Sequence, residues 1–229
     1  MKYKGYIFDL DGVLIDSSRI HYKGWKDVLK TLGRDVDYET FRTSFFGKRG
    51  ADTLEALFGK GKFSEDKVKQ LSDEIDSNFV KTVAEVGVPI PGALEFVRGL
   101  KAAGQKIALG TSAPRPNVDA FLEAFSLRGV FDEEVCGDDV SHGKPNPEVF
   151  LKAAAGLGEA AGDCVVFEDS IPGVTAAKAA GAVCVALLTT TTREALSKAD
   201  FFIKDFSDDT LKRIIRPEES TGSKVREKV

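Results

Sequence analysis

"YIFDLDGVLID", residues 6–16, opens as a strand and closes as something else. Tyr6-Ile7-Phe8 is a continuous apolar run, the signature of a strand buried on both faces of a parallel sheet. Asp9, Asp11 and Asp16 then follow within eight residues. Carboxylates at the end of a buried strand cost solvation energy unless something there uses them. Gly12, with no Cβ, permits the tight turn that folds the chain back over that strand end.

Further apolar runs repeat the strand pattern: Lys106–Gly110, Glu134–Cys136, Asp163–Phe167, Ala182–Leu187 and Phe201–Ile203, with the first run extending back to Tyr3. Helical patterns lie between the later ones, at Ala93–Ala103, Asn117–Phe125, Glu148–Ala155 and Val174–Ala180. Gly104 and Gly181 stand where left-handed helix ends need a glycine. Strand–helix–strand alternation implies right-handed crossovers and a parallel sheet covered on both sides. The expected fold class is α/β, a Rossmann-like doubly wound core.

Residues 16–88 break that alternation. Ile20, Trp25, Val28, Leu29 and Leu32 mark one amphipathic helix, and Val68, Leu71, Ile75, Phe79 and Val83 another. Leu54, Leu57 and Phe58 suggest a short third. The expected organisation is an α/β core of residues 1–15 and 89–216, a helical cap of residues 16–88, and a polar, disordered tail of residues 217–229. The cap's exit, "GVPIPG" at 87–92, has the composition of a linker.

Net charge is −4 over 229 residues, which gives no support to a nucleic-acid partner. No apolar run is long enough for a membrane span, and the first residues lack the pattern of a secretory signal. Cys136, Cys164 and Cys184 form no close pair and read as buried reduced thiols, with a zinc site as the remote alternative. The expectation is a cytoplasmic monomer.

Four polar sites follow strands of the core: Asp9/Asp11, Thr111-Ser112, Lys144 and Glu168-Asp169. Each alone has a bland reading as turn or cap chemistry. In open parallel sheets, however, the carboxyl ends of the strands face one crevice, so these residues converge. Crowded carboxylates call for a cation, and hard oxygen donors without His or Cys favour Mg²⁺. Thr111, neighbouring backbone N–H groups and the Lys144 ammonium are the donors a phosphoryl group requires. Asp9 could attack phosphorus, and Asp11 could protonate the leaving oxygen, its pKa raised by neighbouring negative charge.

The motifs "DLDGVLIDS" (9–17), "GTSA" (110–113), "KPNPEVF" (144–150) and "FEDSIPGVTAAKAAG" (167–181) resemble, in that order, those of the haloacid dehalogenase superfamily. With the helical insertion, the resemblance is to its small-cap subgroup of β-phosphoglucomutase and sugar-phosphate phosphatases. It implies Asp9 as nucleophile, Asp11 as acid/base, Thr111 and Ser112 on phosphate, and Lys144 bridging phosphate and nucleophile. It implies Mg²⁺ on Asp9, Asp169 and the Asp11 carbonyl, with Glu168 ligating directly or through water. The substrate implied is a small phosphorylated metabolite. His21 falls where mutase relatives carry a histidine that positions the acid/base group; the alternative is a structural histidine. Lys48, Arg49 and Arg115 are candidates to meet an anionic part of the substrate, or are simply solvated. The mutase subgroup's cap arginine falls one position later than Arg49, and "APRPN" replaces its polar stretch, so the reading favours phosphatase over mutase. Leu14–Ser17 and Val88–Pro91 are the expected hinges of a closing cap.

Overall fold

The computed structural model describes residues 2–45 and 50–215. Its centre is β1 (Gly5–Phe8), with β4 (Lys106–Gly110) on one side and β6 (Cys164–Glu168) on the other, both parallel to it. Strand β5 (Glu133–Val135) extends the sheet beyond β4, while β7 (Val183–Leu187) and β8 (Phe201–Ile203) extend it beyond β6. The order β5-β4-β1-β6-β7-β8 therefore reverses direction next to β1. A reversal of this kind opens a crevice at the carboxyl ends of the strands it separates.

Alternation along the strands divides the core into two unlike layers. Tyr6, Phe8, Leu109, Val165 and Phe167 face one way, toward α5 (Ala93–Ala102), α6 (Arg115–Ala124) and α9 (Asp209–Ile215). The Phe8 and Phe167 rings stack at 4.8 Å and 7°, with Phe96 and Phe206 packed around them. Ile7, Ala108, Cys164, Val166 and Cys184 face the other way, onto α7 (Glu148–Gly156) and α8 (Ile171–Ala179). That layer is built from small side chains, with Ala153, Ala154, Ala176 and Ala177 on the helices. Each fully buried large side chain contributes roughly 1.5–3 kcal/mol, so the aromatic layer carries more stabilisation per residue.

Two short strands, β2 (Ile15–Asp16) and β3 (Val88–Pro89), pair antiparallel, and all the intervening helices lie between them. These are α1 (Ser18–Thr31), α2 (Tyr38–Ser44), α3 (Gly50–Phe58) and α4 (Glu65–Val86). Trp25, Val28, Leu29, Phe41, Leu54, Leu71 and Ile75 form their own apolar cluster, so Trp25 is a core residue, as its place on the stripe implied. Ser64 caps α4 by accepting from the Lys67 N–H. The last turns of α4 leave that cluster: Phe79 and Val83 pack with Val118, Phe121 and Leu122 of α6 in the aromatic layer of the sheet.

The six strands of the main sheet lie within one or two residues of the expected runs. Helix α2 was not anticipated, because its only buried apolar side chain is Phe41. What marks it is Asp37, whose carboxylate accepts from the Thr40 N–H at 2.9 Å. Helix α9 was likewise missed. The expected tail at 217–229 lies outside the described residues. Glycines 104 and 181 both have positive φ, as expected of helix ends. The three cysteines are free and buried, each on or beside a different strand.

Candidate active site

Register brings the polar strand ends together. Phe8 pairs with Leu109 on one side and Phe167 on the other. One step further along each strand, Asp9 lies beside Gly110 and Glu168, with Thr111 and Asp169 next in line. The Asp9 N–H donates to the Phe167 carbonyl at 3.0 Å, which holds the backbone at the point where the strand ends.

Lys144 reaches this place from the loop that follows β5. Its Nζ donates to Asp9 Oδ1 at 2.8 Å and to Glu168 Oε1 at 2.7 Å, with only 6% of the side chain exposed. Two carboxylates on one ammonium raise the lysine's pKa despite its burial. Glu168 is fully buried, and its second oxygen accepts from the Asp169 N–H, the Ser170 N–H and the Ser170 hydroxyl at 2.7, 2.8 and 3.0 Å. Ser170 also caps α8, accepting from Gly173 N–H. A side chain at Gly173 would overlap the Glu168 carboxylate, so the glycine of "SIPG" makes room for that carboxylate.

Carboxylate oxygens of Asp9, Glu168 and Asp169 all lie within 4.8 Å of one another. Burial pushes the Asp9 carboxyl up to about 7, Glu168 and Asp11 adding to the rise and Lys144 opposing it. Asp169 is driven up in the same way, by burial first and then by Glu168 and Asp9. One ammonium does not balance three buried carboxylates, and the excess negative charge suits a hard dication held by oxygen donors. Asp9, Glu168 and Asp169 each offer a carboxylate oxygen to such a cation, although both Glu168 oxygens and Asp9 Oδ1 already accept hydrogen bonds. Glu168 lies in the same carboxylate cluster and also anchors Lys144 and the α8 turn. Gly12, at φ +75°, lies so close to the Asp169 carboxylate that a Cβ would overlap it. Thr190 hydroxyl donates to the Asp169 carbonyl, and Thr189 to that of Gly12. These two threonines, Ser170 and Gly173 were not singled out from the sequence. Gly173 was visible only as part of a motif.

Asp11 stands at the edge of the crevice. Its carboxylate accepts from the Ser17 hydroxyl and lies 3.5 Å from His21 Nε2. Desolvation raises this carboxyl, but the hydrogen bonds from His21 and Ser17, with the charges of His21 and Lys144, outweigh it and hold the group below its usual range. The expectation that neighbouring carboxylates raise Asp11 is therefore overturned. His21, with its ring 5.3 Å from that of Phe79, is placed to act on Asp11. Thr111 is buried, with its hydroxyl accepting from the Ala113 N–H at 3.1 Å, and Ser112 is exposed beside it.

Arg115 is held by acidic partners of its own fold. Its guanidinium donates to Glu134 Oε2, the Glu134 carbonyl and Asp139 Oδ2 at 3.1, 3.0 and 2.8 Å. Carboxylates on either side of the guanidinium hold Arg115 against the β5 loop. Lys48 and Arg49 lie outside the described residues. A cavity of about 200 Å³ is lined by Gly12, Asp16, Ser18, Arg42, Ile90, Thr189 and Thr190. It touches the carboxylate cluster through Gly12 and Thr190, not through Asp9.

The model for haloacid dehalogenase-like hydrolases matches residues 3–181, and the chain belongs to that family. It is similar to validoxylamine A 7'-phosphate phosphatase of Streptomyces hygroscopicus subsp. limoneus, 32% identical over 90% of this chain and 95% of that protein. Among solved structures, a variant of CbbY from Rhodobacter sphaeroides in complex with xylulose 1,5-bisphosphate superposes with a TM-score of 0.79. It is 26% identical, covering 90% of this chain and 96% of that one. β-Phosphoglucomutase of Clostridium difficile has a TM-score of 0.78 at 26% identity, over 93% and 95% of the two chains. No helix among the described residues is long and apolar enough to cross a membrane.

Proposed function

We propose that this hydrolase is a Mg²⁺-dependent phosphatase that removes a phosphoryl group from a small metabolite, a sugar phosphate or a close analogue, through an aspartyl-phosphate on Asp9. The observation that carries the reading is Lys144 bridging Asp9 and Glu168, with Asp169 alongside, at the buried ends of β1 and β6. Asp9 and Asp169, with the Asp11 carbonyl, would hold the cation. Bound there, Mg²⁺ offsets the carboxylate charge and that of the phosphoryl oxygens.

One Asp9 oxygen attacks phosphorus while the ester oxygen departs with a proton from Asp11. Splitting the displacement in two makes each half easier. The Asp11 carboxyl is held low by His21 and Ser17, and an arriving phosphate dianion counters this because added negative charge favours the protonated form. Lys144 and the hydroxyl of Thr111 face the phosphoryl oxygens, and backbone N–H groups after β1 and β4 add donors. In the second half, Asp11 takes a proton from water as that water attacks phosphorus. Inorganic phosphate leaves and Asp9 is free again.

A mutase would have to retain a sugar bisphosphate by its distal phosphate. Arg115, one of the cations the sequence offers for that task, is committed to Glu134 and Asp139. That pairing supports water as the acceptor. The test is phosphate release over a panel of phosphorylated metabolites with Mg²⁺, beside Asp9→Asn, with intact mass after a rapid acid quench. Release by wild type alone, with a transient gain of one phosphoryl mass, is expected. Release by Asp9→Asn at the wild-type rate refutes the covalent route.

A further inference from the structure

Besides Asp9, the proposed cation site draws on two turns, and the backbone of each turn is pinned on both sides. In the turn after β1, the Gly12 N–H donates to the Ile15 carbonyl at 2.8 Å, which fixes the peptide carrying the Asp11 carbonyl. The Gly12 carbonyl accepts from the Thr189 hydroxyl at 2.6 Å. In the turn after β6, the Asp169 N–H donates to Glu168 Oε2 at 2.7 Å, and the Asp169 carbonyl accepts from the Thr190 hydroxyl at 2.9 Å. One half of each clamp thus comes from the local chain, and the other half from two consecutive residues of the loop that follows β7. Glu168 pairs with Ala186 of β7, so that loop starts beside the Asp169 turn, and Thr189 spans from there to the turn after β1. The two turns meet tightly. A Cβ on Gly12 would overlap the Asp169 carboxylate and crowd the Thr190 methyl.

Resting on the metal assignment above, we infer that Thr189 and Thr190 are positioning residues for the cation, their hydroxyls holding the Asp11 carbonyl and the Asp169 carboxylate at the spacing Mg²⁺ requires. Mg²⁺ demands near-ideal octahedral geometry, so ligands on two separate turns bind it well only when the turns are locked to each other. Gly12 makes the lock necessary, because a glycine at φ +75° has no side chain to restrict its rotation. Groups that orient ligands without touching the metal typically set its affinity by about 10–100-fold. The run "TTTT" at 189–192 hides which threonines do this. Thr192 serves its own turn, its hydroxyl accepting from the Ala195 N–H at 3.5 Å. Thr189 and Thr190 also line the cavity of about 200 Å³. A methyl set in place of either hydroxyl therefore has room to turn away from the carbonyl oxygen it cannot bond.

The Kd of Mg²⁺ is read, without substrate, from the rise in melting temperature with Mg²⁺ concentration. Thr189→Val and Thr190→Val are each expected to raise it by about tenfold or more. Thr189→Ser and Thr190→Ser keep the hydroxyl and restore the wild-type Kd, while Thr192→Val leaves it unchanged. Thr189→Ala and Thr190→Ala set no methyl against the carbonyl oxygen, repeat the weakening, and decide the matter if a valine variant does not fold. A wild-type Mg²⁺ Kd in the valine or alanine variants overturns the inference, and so does a loss that serine does not restore. Wild type that melts at the same temperature with and without Mg²⁺ overturns the inference together with the metal assignment. Phosphate release by Asp9→Asn at the wild-type rate overturns the covalent phosphatase reading alone and leaves the threonines' effect on Mg²⁺ standing.

Discussion

At the strand ends, Asp9, Lys144 and Glu168 are held by backbone register and by one another, with almost no exposed surface. On the inserted helices, His21 and Asp76 hang from helix faces, partly exposed, and meet their partners across a helix–helix contact. The first arrangement fixes atoms to a fraction of an ångström because sheet hydrogen bonds set where each strand stops. The second depends on which faces two helices present to each other. A reacting group is best placed by the first kind of arrangement, built on strands with supporting hydrogen bonds.

Substitutions at the strand ends should be the most damaging to turnover. Asp9→Asn is expected to lower kcat by at least about 10⁴-fold, with an unchanged far-ultraviolet circular dichroism spectrum. Lys144→Met comes next, costing about 10²–10³ in kcat. It leaves Asp9 and Glu168 uncompensated in the absence of metal, which costs about 3–5 kcal/mol in urea unfolding. If either variant keeps wild-type activity, the distinction between the two regions fails.

Trp25→Ala tests the other side of the comparison. It opens a void in the inserted helices' own cluster and should cost about 3–5 kcal/mol of stability. Its kcat on a small aryl phosphate should nonetheless stay within a few-fold of wild type. A loss as large as that of Lys144→Met would show that the helices contribute to the chemistry directly.

A smaller effect concerns pH. In metal-free protein, burial raises Asp9 to about 7 and lifts Asp169 as well. The folded state then binds more protons than the unfolded chain between about pH 4 and 7. Stabilisation from these protons is complete below about pH 4 and is lost as pH rises through 7. Thermal unfolding in chelator should therefore move to lower temperature across that window, and Mg²⁺ should abolish the decline. A melting temperature that rises steadily from pH 4 to 7 in chelator would contradict it. The smallest expected signal is thiol labelling. Burial pushes Cys136 up to about 12 and Cys164 to about 11, and raises Cys184 too. Ellman's reagent should find no reactive thiol in the native protein and three after unfolding.

The contrast also explains what could be read in advance. Apolar runs such as Ile107–Leu109 and Val165–Phe167 announce buried strands, and a parallel sheet obliges the residues after them to converge. Asp9, Thr111, Lys144 and Asp169 were legible for that reason. The partners of Arg115 were not legible, because sequence shows a cation and its neighbours along the chain, while Glu134 and Asp139, which bind it, lie 19 and 24 residues away. Asp11 was misjudged in the same way: nearby carboxylates are visible in the motif, whereas His21 and Ser17 act only once α1 turns back. Asp76 and Asn117, 41 residues apart, carry no motif at all. Their pairing exists only because Phe79 and Val83 seat α4 on α6.

The two-residue ladder of Ile15–Asp16 with Val88–Pro89 has a consequence for descent. The chain leaves the sheet domain and returns to it at adjacent points, so everything between is a single detour with its ends already joined. The entropy of closing such a detour grows only with the logarithm of its length, about 0.6 kcal/mol for each doubling. An ancestor could therefore lengthen, shorten or exchange the detour while the strand ends kept their register. Inheritance can treat the reaction and its clientele as separate parts, and a laboratory graft at residues 16 and 88 can do the same.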